Sequence, residues 1–305
     1  MGQGVRSSLA RIAARELELP LERVNVAGID TDVTPYDQMT SASRSTFAMG
    51  AAVGEATASV RRQLVNAAAE LLEASVEDLE LGGGVVRVRG VPARSIGYGD
   101  VVRRARLGNV LGEGRYRRLG GLDPETGQGV ATVHWTPAVG AAEVEVDLDT
   151  GTVEVLRYHA GTFAGRVVDP AGAQLQVDGC VTFGLGQALF EQLVFEGAQI
   201  VNASLADYQI PGIRDLPDTL TATILEDEEP GEIHGLGEAA LPPVMPAIGN
   251  AVARATGIRL VALPLAPESI LRGLRDASAG TAVGAGEALG GGRRLEADQA
   301  FGAEP

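Results

Sequence analysis

The sequence predicts an α+β fold in which mixed sheets are packed with helices. Two patterns carry that reading. In several segments apolar residues recur at helical spacing, and elsewhere they alternate with polar residues around glycine turns, as half-buried strands do. A chain of 305 residues with 45% hydrophobic side chains can also bury a substantial core, as one large domain or two packed ones. Aromatics make up only 4% while there are 41 glycines, so that core rests on Val, Leu, Ile and Ala with close backbone approaches.

After Gly2-Gln3-Gly4, the residues Val5, Leu9, Ile12, Ala13 and Leu17 keep helical spacing until Pro20 closes the run, which puts the glycine pair at a helix N-terminus. Val24 to Val26 reads as a short strand. A turn-rich stretch, Asp30 to Asp37, leads through Ser41-Ala42-Ser43-Arg44-Ser45-Thr46 into a long helix with Val53, Val60, Leu64, Ala67 and Leu71 on its buried stripe. Gly82 to Gly84 and Val85 to Val88 read as a hairpin and strand, and Tyr98 to Ala105 as a short helix. Val144 to Leu148, Asp149-Thr150-Gly151 and Val153 to Val155 alternate around a tight turn as an antiparallel hairpin.

Asp169 and Pro170 supply an N-cap and first-turn proline for a helix carrying Val177, Val181, Leu185 and Leu189. Gly179, Gly184 and Gly186 inside it lower helix propensity, so something is expected to pack close there. A strand near Leu220 to Leu225 precedes Gly235-Leu236-Gly237-Glu238, and a helix from about Pro243 to Thr256 stops at Gly257. The ordered domain is expected over residues 1–275, as two intimately packed subdomains. Residues 276–305 turn to Gly, Ala and charge without periodicity and read as a disordered tail.

The net charge of −15, with no long basic run, argues against a nucleic-acid backbone or an anionic membrane surface as partner. Cys180 is the only cysteine, so this chain alone builds neither an intrachain disulfide nor an iron–sulfur cluster. No apolar stretch reaches the roughly 18 residues of a membrane span, and no basic-then-apolar leader opens the chain. The expectation is a soluble cytoplasmic protein.

Four segments can carry chemistry. Gly2-Gln3-Gly4 ahead of a helix offers backbone N–H groups, an amide and the positive dipole end to an anion, or is simply the flexible start of an amphipathic helix. Ser41 to Ser45 offers more hydroxyls than N-capping needs, so capping and a polar cradle compete. Glu238 sits in an otherwise apolar run before a helix. Burial would favour its acid form and the helix N-terminus its carboxylate, an opposition that suits a general base; the competing reading is a carboxylate that only complements the helix dipole. His134, His159 and His234 have no metal-ligand spacing and read as core or surface residues, and Cys180 as a packed thiol.

In their order and spacing, these segments resemble the second molybdenum-cofactor-binding domain of the xanthine dehydrogenase and aldehyde oxidase family. The resemblance runs from Gly2 to about Leu274 and rests on Met1-Gly2-Gln3-Gly4, Thr40-Ser41-Ala42-Ser43-Arg44-Ser45-Thr46, the Asp149-Thr150-Gly151 hairpin, Gly184-Leu185-Gly186, Ala206-Asp207-Tyr208-Gln209-Ile210-Pro211 and Gly235-Leu236-Gly237-Glu238. It implies an oxidoreductase that uses a molybdenum–molybdopterin cofactor, in bacteria usually the cytosine dinucleotide form. The implied reaction hydroxylates a small-molecule substrate, an aldehyde or N-heterocyclic carbon, with oxygen from water.

Carried over residue by residue, the resemblance makes Gly2, Gln3 and Gly4 contact the pterin and its phosphates. Ala42, Ser43, Ser45 and Gly237 line the cofactor, and Glu238 is the base that takes a proton from the attacking hydroxyl. Phe183 stands where many relatives place a glutamine near the metal, which makes that wall of the substrate pocket more apolar. Asp169 stands where the family's Gly-Arg-x-x-Asn-Pro run has asparagine, and a negative side chain there suits a phosphate neighbour only if it points away. Family subunits carry an N-terminal half ahead of this region, so that half is expected on another chain, with iron–sulfur and FAD subunits taking the electrons. The rival expectation is a non-catalytic module, truncated or devoted to assembly, that keeps the fold without enclosing cofactor.

Overall fold

The computed structural model describes residues 1–117, 120–132, 134–227 and 231–278. These fall into two compact units. The first comprises Met1–Trp135, Gly165–Ala173 and Asp227–Gly235; the second comprises Thr136–Ala164, Gln174–Glu226 and the chain from Leu236 onward. Among the described residues, no helix is long and apolar enough to cross a membrane.

In the first unit, α1 (Val5–Glu16) buries Leu9, Ala10, Ile12 and Ala14. It packs on α2 (Gly50–Leu72), with buried Gly50 against Ile12, where a Cβ would stand 2.6 Å from the Ile12 side chain. The far half of α2 covers a three-stranded antiparallel sheet, β1 (Leu79–Gly82), β2 (Val85–Val88) and β3 (Val91–Gly97), followed by α3 (Tyr98–Arg104). Leu64, Ala68, Leu81, Val86, Ile96 and Val101 form its core. The β1–β2 turn uses Gly83 and Gly84 at φ 62° and 83°, values a two-residue hairpin turn of this kind requires at both positions.

Three expectations need correction here. Val24 to Val26 is not a strand: a 3-10 turn over Leu21–Arg23 precedes it, and the Val26 carbonyl accepts the Arg6 guanidinium instead of a ladder partner. The long helix does not start as an α-helix, since Ser45–Met49 form a π turn before α2, a feature apolar spacing does not encode. Nor do the serine hydroxyls cap it, because neither the π turn nor α2 has a side-chain cap.

In the second unit, β4 (Ala138–Val146), β5 (Val153–Gly165) and β8 (Thr219–Glu226) form an antiparallel-edged sheet in the order β4-β5-β8. The expected hairpin is present and longer than its alternation suggested. Its turn is tied by Asp147, whose Oδ1 accepts the Asp149 and Thr150 N–H groups at 2.8 and 3.0 Å, which holds that carboxyl below the usual carboxylate range.

One face of the sheet is covered by α4 (Pro170–Leu189) and α5 (Val244–Thr256), with α6 (Pro267–Ser278) completing a core of Tyr158, Val177, Val181, Leu185, Val244, Ile248 and Ile270. A small hairpin, β6 (Phe195–Glu196) with β7 (Gln199–Ile200), follows α4. Close packing does explain two of the three α4 glycines: a Cβ on Gly184 would run into Val244, and one on Gly186 into Glu191 and Pro211, while Gly179 has open space. Gly257 ends α5 at φ 76°, as expected of a C-terminal stop. Asp276 to Ser278, read as the start of the tail, are instead the last turn of α6, held by Ile270 in the core; residues 279–305 lie outside the described residues. Ile248 is fully buried, so Ile248→Val is expected to cost about 1 kcal/mol in urea unfolding.

Candidate functional site

The first unit gathers the predicted anion-binding turn and the serine loop. Gly2 and Gly4 take φ of 87° and 80°, Gly4 stands at the N-cap of α1, and no side chain caps that helix. Nothing lies within 4 Å of where a Cβ would stand on either glycine. Gln3 Nε2 donates to Thr40 Oγ1 at 3.1 Å, and buried Ser45 Oγ donates to the same oxygen at 3.1 Å. Thr40 thus joins two segments that the sequence leaves unconnected.

Between Thr40 and Ser45, Ala42 and Ser43 both adopt left-handed backbone, at φ 48° and 53°. For residues with a Cβ this costs roughly 1–2 kcal/mol each. Arg44 holds the conformation: its N–H reaches Ser41 O at 3.1 Å, and its guanidinium reaches Met39 O at 2.9 Å and Asp37 at 3.5 Å. Against this strained loop packs Gly235, which has no room for a side chain, since a Cβ would meet Ser43 O and stand 2.9 Å from Ser43 Cβ.

Asp169 is explained by its neighbours. Its Oδ2 pairs with Arg11 Nε at 3.0 Å and its Oδ1 accepts Gly172 N–H at 3.3 Å, so the carboxylate is neutralised and serves as the cap of α4.

The remaining predicted residues lie in the second unit. Gly237 and Glu238 are both exposed, which corrects the expectation of a buried carboxylate; Leu236 and Ala240 turn inward instead, in a double turn closed by Ala239 N–H to Leu236 O and Leu241 N–H to Glu238 O. The dipole reading of Glu238 also falls, because α5 begins at Val244 and its first turn carries no acidic residue. Cys180 is buried and donates its thiol to Gly237 O at 3.3 Å, and burial pushes that thiol up, as befits a packed residue. Phe183 is 68% exposed on α4 and, with Gln187, Glu191, Tyr208 and Leu241, lines a depression of about 390 Å³.

A family model for the molybdopterin cofactor-binding domain matches residues 1–217. The chain belongs to this family. Its relatives are molybdenum-binding subunits of the xanthine dehydrogenase and aldehyde oxidase type. It is 30% identical over 280 residues to the 6-hydroxypseudooxynicotine dehydrogenase complex subunit gamma of Paenarthrobacter nicotinovorans, covering 88% of this chain and 34% of that protein. It is also 30% identical over 282 residues to the xanthine dehydrogenase molybdenum-binding subunit of Escherichia coli O157:H7, covering 88% and 36%. Among solved structures, quinoline 2-oxidoreductase from Pseudomonas putida 86 superposes with a TM-score of 0.78 at 29% identity, over 90% of this chain and 35% of that one. The chain therefore spans about a third of the length of the relatives it matches.

Within this molybdopterin cofactor-binding domain, the sequence pointed to the Gly2-Gln3-Gly4 and Ser43 segments but not to what holds them. Thr40 was only the first residue of a motif. His134 and His234, expected as ordinary core or surface residues, stack on each other with ring centroids 4.4 Å apart, and Phe47 of the π turn meets His134 edge-on at 4.8 Å. No sequence spacing signals that pair.

Proposed function

We propose that the chain is one component of a molybdenum-dependent hydroxylase that oxidises an aldehyde or N-heterocyclic carbon, inserting oxygen from water. The observation that carries this reading is the Gln3–Thr40–Ser45 hydrogen-bond chain, which ties two left-handed backbone segments into one polar surface. Strain of this kind persists only where surrounding structure holds it, and it clusters at ligand sites.

The residues present fit a pterin carrying phosphates. Gly2 and Gly4 leave open space beside uncapped N–H groups at the positive end of α1, and Gln3 is anchored through its amide nitrogen. Gly2, Gln3 and Gly4 would hold the phosphates and pterin, with Ala42, Ser43 and Ser45 forming the adjoining wall. Bound, the cofactor, in its cytosine dinucleotide form, supplies the metal that activates water and the acceptor for two electrons.

Hydroxylation consumes one C–H bond and one water and releases two protons and two electrons. Glu238 is the group that takes a proton, onto a carboxylate oxygen, from the oxygen that attacks the substrate carbon. Phe183 gives the neighbouring surface an apolar character suited to flat heterocycles. The rest of the cofactor enclosure would come from the N-terminal half of a large subunit of the relatives' length, and the electrons would leave through iron–sulfur and FAD subunits.

The direct experiment is co-expression with that N-terminal half, followed by molybdenum and pterin analysis of the purified complex. Stoichiometric metal and pterin are expected; their absence, together with partner binding, would leave an assembly module in place of an enzyme. Thr40→Val removes the shared acceptor of Gln3 and Ser45. At about 1 kcal/mol for each of the two hydrogen bonds, it should lower retained pterin roughly thirtyfold, read by fluorescence after denaturation.

A further inference from the structure

The stacked histidines take no part in the chemistry above, yet one of them grips the backbone next to the strained serine loop. Gly235 N–H donates to His134 Nε2 at 3.1 Å. An imidazole nitrogen accepts a hydrogen bond only through a bare lone pair, so the ring is neutral and carries its proton on Nδ1. Its plane is set from two sides, by His234 stacked at 22° and by Phe47 edge-on at 85°. Phe47 lies two residues beyond Ser45, and Gly235 is pressed against Ser43.

We propose that His134 is a positioning residue, which clamps Gly235 onto the Ser43 loop through its unprotonated Nε2 and releases it when the ring takes up a proton.

The titratable groups bearing on the ring from the elements around it are His234 and Glu232 on the Gly235 segment, and Tyr116, which reaches it only through the edge of Phe47. Burial lowers the proton affinity of His134, the neighbouring His234 lowers it further, and Glu232 opposes both. The folded value therefore lies below the ordinary 6.5. The sign follows: the clamp is complete above that ordinary value and is lost as pH falls through the depressed folded one, where a second N–H would face the Gly235 donor. The segment so held leads, three residues on, to Glu238. Its consequence for catalysis rests on the proposed function; the clamp itself does not.

The test uses the full metal-free chain. Hydrogen-exchange protection of the Gly235 amide, corrected for intrinsic exchange, is followed from about pH 8 to pH 5 alongside the His134 ring signals by NMR. Protection should fall roughly fivefold in step with the ring's titration. His134→Gln keeps an acceptor and should hold protection with no pH step. His134→Phe keeps the aromatic packing and should lose protection at every pH, again with no step, while amides in α5 stay protected. A step that survives in either variant, a Gly235 amide indifferent to His134 titration, or a proton found on Nε2 at neutral pH would overturn the clamp. A chain that shows the step but never acquires cofactor would instead count against the proposed function alone.

Discussion

Glu238→Gln is expected to lower kcat of the assembled enzyme by about 10²- to 10⁴-fold, the usual contribution of a positioned general base, with molybdenum and pterin content unchanged. Glutamine matches the size of the side chain but cannot take a proton at neutral pH. The structure removes the helix-dipole explanation for an acid at this position. Glu238 is exposed, it precedes the first residue of α5 by six positions, and that helix has no acidic first turn to complement. An exposed substitution away from caps and core should shift stability by no more than about 0.5 kcal/mol. The measurement is kcat per molybdenum, with the unfolding midpoint as control. If turnover per metal were unaltered, Glu238 would not be the base, whatever else the domain binds.

How far the sequence announced this arrangement depends on how local each feature is. The β4–β5 hairpin, the glycine turn at Gly83–Gly84 and the stop at Gly257 were all legible, because alternation and positive φ are imposed within a few residues. Val24 to Val26 had strand composition but no strand, since pairing requires a partner elsewhere and Arg6 took the carbonyl. The π turn was hidden for a related reason: one added residue per turn leaves apolar spacing nearly unchanged over five positions.

The site divides along the same line. Gly2-Gln3-Gly4 and Ser41 to Ser45 could be singled out because each is unusual by itself, whereas the hydroxyl joining them, Thr40, gains its role only from a contact spanning 37 residues. His134 is farther out of reach, 101 residues from the amide it binds. For Glu238 the apolar neighbours misled. Composition says that Leu236 and Ala240 go inward, but the intervening turns leave the carboxylate in solvent.

The second large effect is expected from one methyl group. Gly235→Ala should reduce the pterin retained by the assembled enzyme roughly five- to 150-fold, corresponding to the 1–3 kcal/mol that overpacking costs. Gly4→Ala offers the contrast that makes the cause visible. At Gly4 there is space but a φ of 80°, so alanine is strained in its own backbone. At Gly235 the backbone is permissive and the space is absent, because the new Cβ would meet the Ser43 carbonyl oxygen and stand 2.9 Å from Ser43 Cβ and 3.1 Å from its carbonyl carbon. Those atoms belong to a loop already held in left-handed geometry by Arg44, and it cannot yield by rotating a side chain. Relief has to come from moving the Ser43 loop or the Gly235 segment, and either movement disturbs the surface on which the cofactor is proposed to rest. Pterin fluorescence per chain, compared with the unfolding midpoint, separates the two costs. Full pterin retention in Gly235→Ala would show that this close approach is ordinary packing with no bearing on the cofactor.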